Sequence, residues 1–187
     1  MRLAIIIIDM LEDFLRSEAP LPVGEEGLKI IPGIQQLLAV ARQKRIPIIY
    51  SCDALLPNDF LFQSIMSPHG IQGTPGAQVI SELKPQESDL VVPKRRFSAF
   101  FKTDLDITLK ELETDTIVIG GVSTEVCIIS TAYDSVCNNF RTIILDDCCA
   151  SRHKETHDQI LDILRRSPLR PLLRIMSLAE FLSEIQK

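Results

Sequence analysis

The sequence of 187 residues contains no tryptophan, and aromatic residues make up only 5% of it. Any aromatic wall around a ligand must therefore come from phenylalanine or tyrosine. The candidates for such a wall are Phe14, Phe60, Phe62, Phe97 and Phe100. Each of these side chains also fits ordinary core or loop packing.

Histidine is equally scarce, since only His69, His153 and His157 occur. The last two are spaced i, i+4 on a predicted helix, which places them on one helix face. A zinc site in catalytic use normally takes three protein ligands. Neither an H-E-x-x-H motif nor a third ligand accompanies the pair, so we expect His153 and His157 to lie on a solvated face.

Long hydrophobic runs are also missing from the sequence. No stretch approaches the roughly 18 apolar residues that a membrane span needs. The N-terminal run "LAIIII" (3–8) is too short for the apolar region of a signal peptide, and no small-residue cleavage site follows it. We therefore expect no membrane partner, no targeting segment and a cytoplasmic location.

The chain lacks an excess of positive charge, because its net charge is -5 and its pI is near 5.2. This balance argues against a nucleic-acid partner. The sequence also contains no G-x-G-x-x-G, Walker A or C-x-x-C motif, so nothing supports a dinucleotide or phosphate cradle. An odd number of widely spaced cysteines does not describe a secreted disulfide framework; they are Cys52, Cys127, Cys137, Cys148 and Cys149.

What the sequence does contain is an alternation of short β-rich runs and helical patterns, which predicts a mostly parallel sheet. The predicted strands are 3–8, 46–51, 89–94, 115–121, 141–147 and 172–177. The predicted helices are 31–45, 77–84, 103–113, 123–139, 153–167 and 178–186, and 53–76 is a long loop. We therefore predict one α/β domain over residues 1–187, a three-layer α-β-α sandwich whose six-stranded sheet has helices on both faces.

Ligands of such sheets bind beyond the carboxyl ends of the strands. The polar residues expected there are Asp9, Cys52, Asp53, Lys94, the turn 120–127, Asp146 and Asp147. Asp9 fits either a turn or an acid–base group, whose pKa burial would raise toward neutrality. Lys94 begins a run of three cations, which fits a solvated face. Because it directly follows a strand, Lys94 can also point inward while Arg95 and Arg96 point outward.

The stretch "IGGVSTEVCII" (119–129) is predicted to be a strand, a tight turn and the start of a helix. Ser123 or Thr124 can cap that helix. Cys127 then falls near the first turn, where free N–H groups and the helix dipole favour a thiolate. On spacing alone Cys127 is more simply a small apolar residue packed inside the protein, and a nucleophile is the alternative.

Three segments taken together carry a family resemblance: "IIIIDMLEDF" (5–14), "PKRRFSAFFKTDLDITLKE" (93–111) and "IGGVSTEVCIISTAYDS" (119–135). With the loop "HGIQGTPGAQVISELKP" (69–85), they resemble the isochorismatase-like cysteine hydrolases. That family includes nicotinamidases, N-carbamoylsarcosine amidases and isochorismatases. The resemblance covers roughly residues 3 to 150, and it implies a six-stranded parallel sheet and a homo-oligomer.

The resemblance implies that Asp9, Lys94 and Cys127 form a catalytic triad, which favours the nucleophile over the packing interpretation of Cys127. It also implies a cis peptide between Val122 and Ser123, and an oxyanion hole made by the backbone N–H groups of Ser123 and Cys127. The expected activity is hydrolysis of a small carboxamide or carbamoyl compound through a thioester. The alternatives are a nicotinamidase proper, a non-catalytic binding protein of the same fold, and a thiol redox sensor.

Nicotinamidase-type members of the family hold a metal through an Asp-x-His motif and a later His. In "SCDALLPND" (51–59), Asp53 is followed by Leu55 where the first of these histidines belongs, and His69 matches the later one. Asp53 and His69 are therefore only weak metal candidates, and we predict no metal cofactor. The alternative is that Asp59 supplies the third ligand of a metal site. We expect Asp53 and His69 to line the substrate pocket instead, together with Phe14 and Phe97.

Overall fold

The computed structural model describes residues 1–16, 18 and 23–186. Within these residues, six strands form a single sheet in the order β3-β2-β1-β4-β5-β6, and every neighbouring pair is parallel. The strands are β1 (Leu3–Ile8), β2 (Ile48–Asp53), β3 (Leu90–Lys94), β4 (Thr116–Val122), β5 (Arg141–Ala150) and β6 (Leu173–Met176). The predicted six-stranded α/β sheet is confirmed, and it is parallel throughout.

Helices cover both faces of the sheet. They are α1 (Glu12–Leu15), α2 (Glu25–Lys29), α3 (Ile31–Gln43), α4 (Leu105–Glu111), α5 (Ile129–Cys137), α6 (Lys154–Arg165) and α7 (Leu178–Ile185). Apolar residues of α3 and α7 pack on one face with Ile5 and Ile7 of β1. Residues of α4, α5 and α6 pack on the other face with Ile6 and Ile8. Because β1 is covered on both sides, its sequence is a continuous apolar run.

The strand order reverses between β1 and β4, which lie side by side at the centre of the sheet. A crevice forms at such a reversal because the connections on its two sides lead away in opposite directions. The carboxyl ends of β1, β2 and β3 and the turn after β4 therefore meet at one edge. Among the described residues, none of the helices has the length and apolarity needed to cross a membrane.

The predicted helix 77–84 is wrong, because this segment contains only the 3-10 turns Pro75–Ala77 and Ser81–Leu83. Between them, the chain pairs with the segment that follows β1. The N–H of Glu12 donates to the carbonyl of Gln78, and the N–H of Ile80 donates to the carbonyl of Met10. These tertiary hydrogen bonds use backbone groups that a helix would need for itself.

Two further elements depart from the prediction near the site. The predicted helix 123–139 begins as a π-helical turn, Thr124–Ile128, before α5 continues it. Strand β5 runs to Ala150, and its register against β4 shifts between Ile119 and Gly121. Asp146 and Asp147 therefore lie inside β5 rather than at its end.

Candidate active site

Four side chains from separate strand ends meet in a buried cluster: Asp9, Asp53, Lys94 and Cys127. The Nζ atom of Lys94 lies 2.7 Å from Asp9 Oδ2 and 2.5 Å from Asp53 Oδ1. It also lies 3.6 Å from Cys127 Sγ. The Lys94 side chain has no exposed surface, and Cys127 is only 6% exposed. The structure thus brings together the three residues of the predicted triad.

Asp9 is held in place by the ends of β1 and β2. Its φ of 51° is left-handed, a conformation that aspartate tolerates better than most residues. Its N–H donates to the carbonyl of Ser51, and its Oδ1 accepts the N–H of Asp53 at 2.8 Å. The second carboxylate oxygen, Oδ2, therefore faces Lys94 and Cys127.

Lys94 is separated from the two cations that follow it in sequence. Lys94 points into the protein, whereas Arg95 and Arg96 reach outward to Asp59, with N–O distances of 2.7 and 3.1 Å. The Asp59 side chain is completely buried beneath the two guanidinium groups. Its charge is thus already balanced by two cations, which makes Asp59 a poor candidate for the third ligand of a metal site.

The turn after β4 depends on a glycine. Gly121 has a φ of 122°, and a Cβ atom at this position would lie 2.0 Å from the carbonyl oxygen of Ile8. The next peptide bond, between Val122 and Ser123, is cis, where the family resemblance places one. The carbonyl of Ser123 then accepts the N–H groups of Val126 and Ile128. These bonds form the π-helical turn that carries Cys127.

Neither predicted cap is present at the start of this turn. Ser123 occupies the N-cap position, but its side chain makes no capping hydrogen bond. The Thr124 hydroxyl lies 2.8 Å from His157 Nδ1 instead. The oxyanion hole formed by the backbone N–H groups of Ser123 and Cys127 stays a prediction.

Burial controls the protonation of this cluster. It raises the pKa of the Cys127 thiol well above its ordinary value; Lys94 opposes this rise, and Asp9 and Asp53 add to it. Lys94 thus favours the thiolate, as expected, but burial has the larger effect. Burial and Asp53 also raise the pKa of Asp9 to about 6, against the opposing effect of Lys94. At neutral pH an ionised Asp9 thus faces a protonated Cys127.

Lys94 remains charged in these surroundings. Burial acts to lower the pKa of Lys94, but Asp9, Cys127 and Asp53 together raise it well above its usual value. A cation is therefore fixed beside the sulfur atom, where it stabilises a thiolate whenever the proton leaves.

We expect Lys94→Met to raise the pKa of Cys127 further, because the substitution removes the cation and leaves burial and two carboxylates in place. The measurement is the pH dependence of alkylation by iodoacetamide, which should shift to higher pH. Cys137 is exposed and will also react, so all variants should carry Cys137→Ala. Lys110→Met, on the exposed surface of α4, is the control. An unchanged profile would show that Lys94 does not act on Cys127.

Asp53 and His69 lie side by side near the cluster. His69 Nε2 is 3.9 Å from Asp53 Oδ2, and Nδ1 is 2.7 Å from the carbonyl oxygen of Ser67. The ring packs edge-on against Phe14 and Phe62, at centroid distances of 5.2 and 5.6 Å. The structure therefore brings Phe14, Asp53 and His69 together.

Phe97 is 36% exposed, and its assignment to a substrate pocket stays a prediction. One space available to a small molecule lies beside Asp53 at the ends of β2 and β3. A cavity of about 500 Å³ there is lined by Asp53, Ala54 and Gln72 among others. This volume is within the range of small-molecule sites.

The donors near Asp53 do not fit a three-ligand metal centre. Asp53 Oδ1 is bound to Lys94, and Leu55, at the position of the missing histidine, is completely buried. The backbone of Leu55 pairs with Gly70 and Gln72, which fixes the leucine side chain in that place. Over residues 1–16, 18 and 23–186, no three His, Cys, Asp or Glu side chains are arranged to hold a metal ion.

Sequence reasoning missed two residues that support the site. Asp13 Oδ2 accepts the N–H of Gly70 at 2.8 Å and so ties the loop carrying His69 to α1. His157 is partly buried and bonded to Thr124, so its assignment to a solvated face is wrong, although His153 is exposed. The helical spacing of His157 with Leu161 and Leu164, both buried, is the signal that could have revealed it.

Comparison with known proteins shows similarity along most of the chain. A family model described as an isochorismatase domain matches residues 3–175. An isochorismatase-like hydrolase from Alkaliphilus metalliredigens has a crystal structure that matches with a TM-score of 0.91 and 36% identity, covering 99% of this chain and 100% of that one.

Two relatives are informative about activity. A maleamate amidohydrolase of Pseudomonas putida is 28% identical over 164 residues, which cover 83% of this chain and 75% of that protein. A protein of Arabidopsis thaliana named as a probable inactive nicotinamidase is 32% identical over 171 residues, covering 86% of this chain and 87% of that protein.

Proposed function

The chain belongs to the isochorismatase family and is an amidase-type hydrolase of that family, and from this premise we propose that it cleaves a C–N bond through a thioester on Cys127. The substrate is a small carboxamide or carbamoyl compound. One observation carries the proposal: Asp9, Lys94 and Cys127 meet in a buried cluster, with Lys94 Nζ 2.7 Å from Asp9 and 3.6 Å from the sulfur.

The first half of the proposed reaction forms the thioester. Asp9 Oδ2 accepts the proton of the Cys127 thiol, and the charge of Lys94 stabilises the thiolate as it forms. The sulfur attacks the carbonyl carbon, and the oxyanion accepts hydrogen bonds from the N–H groups of Ser123 and Cys127. Protonated Asp9 then gives its proton to the leaving nitrogen, the C–N bond breaks, and the amine or ammonia departs.

The second half regenerates the enzyme. Asp9 is again a carboxylate and takes a proton from a water molecule, which attacks the thioester carbonyl. The C–S bond breaks, the carboxylic or carbamic acid product leaves, and the proton returns from Asp9 to the Cys127 sulfur. No step in this cycle uses a metal, in keeping with the poor fit of Asp53 and His69 to a metal centre.

A substrate panel tests the proposed function. The panel consists of maleamate, ureido acids, N-carbamoyl amino acids, pyrazinamide and nicotinamide, with released ammonia or amine as the readout. We expect turnover of at least one compound, and the poor metal fit disfavours nicotinamide. The presence of Cys127 argues against the vinyl-ether hydrolysis of isochorismatases.

A non-catalytic role is the second candidate, favoured by the similarity to the Arabidopsis protein named as a probable inactive nicotinamidase. The buried triad argues against it, because a binding protein has no need of a base and a cation around a thiol. Binding of panel compounds without release of ammonia or amine would favour the non-catalytic role.

We expect the purified protein to work without stoichiometric zinc, so that chelators leave its activity unchanged. Leucine has no donor atom, and two donors alone make a poor catalytic zinc site. Elemental analysis of dialysed protein checks this, and about one zinc or iron per chain would contradict it. Leu55→His should create measurable zinc affinity by adding a third donor to Asp53 and His69, whereas Leu55→Phe, the control, should not.

The cytoplasmic location and the homo-oligomeric state stay predictions. Cell fractionation checks the location, and analytical ultracentrifugation checks the oligomeric state. The partner we propose is the small-molecule amide alone, without nucleic acid or membrane.

A further inference from the structure

A second hydrogen-bonded network holds the turn that carries Cys127. Its other members are His157 of α6 and Ser151, which directly follows β5. Thr124 Oγ1 lies 2.8 Å from His157 Nδ1. Ser151 Oγ donates to Glu125 Oε2 at 2.5 Å. Thr124 and Glu125 are the first two residues of the π-helical turn. Both contacts therefore act on the short backbone segment that leads to Cys127.

The ring of His157 is suited to receive the Thr124 hydroxyl. Burial lowers the pKa of His157, and Lys154 adds to this, whereas Asp158 and Asp146 oppose it. The backbone of Asp146 acts in the same direction as these two carboxylates. A neutral ring that carries its proton on Nε2 offers the Nδ1 lone pair to the Thr124 O–H.

The network is buried where it meets the turn and partly exposed at its outer end. Thr124 and Ser151 are both completely buried, whereas His157 is half-buried and lines a cavity together with Ser151. Leaving the buried Thr124 hydroxyl without its partner would be unfavourable. The turn therefore has a strong preference for the one backbone position in which Thr124 meets His157 and Glu125 meets Ser151.

We propose that His157 is a positioning residue for Cys127, acting through Thr124, with Ser151 as a second support acting through Glu125. The two contacts fix the π-helical turn so that the sulfur atom lies 3.6 Å from Lys94 Nζ and faces Asp9. His157 does not touch the substrate. A displacement of about 1 Å in a reacting group can lower a rate on the order of 10²-fold. The inference rests on the proposed role of Cys127 as the nucleophile.

Paired variants test the proposal by activity on a confirmed substrate. Thr124→Val removes the hydroxyl at nearly constant size, and His157→Leu removes its acceptor; each should lower kcat about 10- to 100-fold with little change in KM. Thr124→Ser keeps the hydroxyl, and His157→Asn keeps an acceptor near the Nδ1 position, so both should retain most of the activity. The double variant Thr124→Val with His157→Leu should be no worse than either single variant, since both break one bond. His153→Leu, at an exposed position just before α6, is the matched control.

A second measurement needs no substrate. In a Cys137→Ala background, the rate of Cys127 alkylation by iodoacetamide at neutral pH should fall in Thr124→Val and His157→Leu and recover in Thr124→Ser. The alkylation rates test the positioning role even if the substrate panel shows no turnover. Failure of the proposed function can therefore be distinguished from failure of the positioning role. Unchanged kcat and alkylation in Thr124→Val and His157→Leu would overturn the proposal. Losses that appear equally in His153→Leu, or that follow only the melting temperature, would also overturn it.

Discussion

Replacing Cys127 with alanine is expected to abolish turnover while the fold remains intact. The proposed reaction forms a bond between the sulfur and the substrate, and alanine offers no atom that can replace it. Removal of the nucleophile from covalent hydrolases lowers kcat on the order of 10⁴-fold or more, and we expect a loss of at least this size. Steady-state release of ammonia or amine from a confirmed substrate is the measurement.

The control for this variant is a second buried cysteine. Cys149 belongs to the same apolar cluster as Cys127, but it contacts the carbonyl of Ile119 rather than the triad. Cys149→Ala therefore removes a comparable buried thiol, and both variants should lose stability to a similar small extent, about 1 kcal/mol. Cys149→Ala should keep its activity. Substantial turnover by Cys127→Ala would exclude Cys127 as the nucleophile.

The positions of Asp9, Lys94 and Cys127 could be predicted because they depend on strand ends. A buried parallel strand is recognisable as an apolar run, and the residue after it must lie at the edge where ligands bind. This rule finds Asp9 and Lys94 directly. The rule does not assign chemistry, which for these residues came from the order and combination of the family motifs.

The local backbone was less predictable because tertiary contacts decide it. The sequence pattern of 77–84 is helical, yet its backbone pairs with residues 10–12. The turn 124–128 adopts a π form in which two N–H groups share the carbonyl of Ser123. Such choices depend on partners distant in sequence, which periodicity cannot reveal.

The protonation of Cys127 was also beyond the sequence. A helix start and a neighbouring cation both lower the pKa of a thiol, whereas burial raises it, and residue spacing cannot weigh these effects against one another. The depth of burial depends on the packed structure, and its effect on the pKa of Cys127 outweighs that of Lys94. The site therefore needs a base to remove the thiol proton.

Asp9→Asn is expected to lower kcat on the order of 10²- to 10⁴-fold, the usual contribution of a general base. Asparagine has nearly the same shape, and its Oδ1 can still accept the N–H of Asp53, as Asp9 does at 2.8 Å. It cannot accept the thiol proton at neutral pH. The binding pocket should be preserved, so KM should change much less than kcat.

The pH profile separates the base from a carboxylate that merely holds Lys94. Because the pKa of Asp9 is about 6, kcat/KM of the parent enzyme should fall as the pH drops through this value and the base becomes protonated. This acid limb should vanish in Asp9→Asn. Asp53→Asn removes the other carboxylate on Lys94 but keeps the base, so its loss of activity should be smaller. Asp53 raises the pKa of Asp9, and the acid limb of Asp53→Asn should therefore move to lower pH. If Asp9→Asn kept the limb, or if both variants lost activity equally with unshifted profiles, another group would have to move the proton.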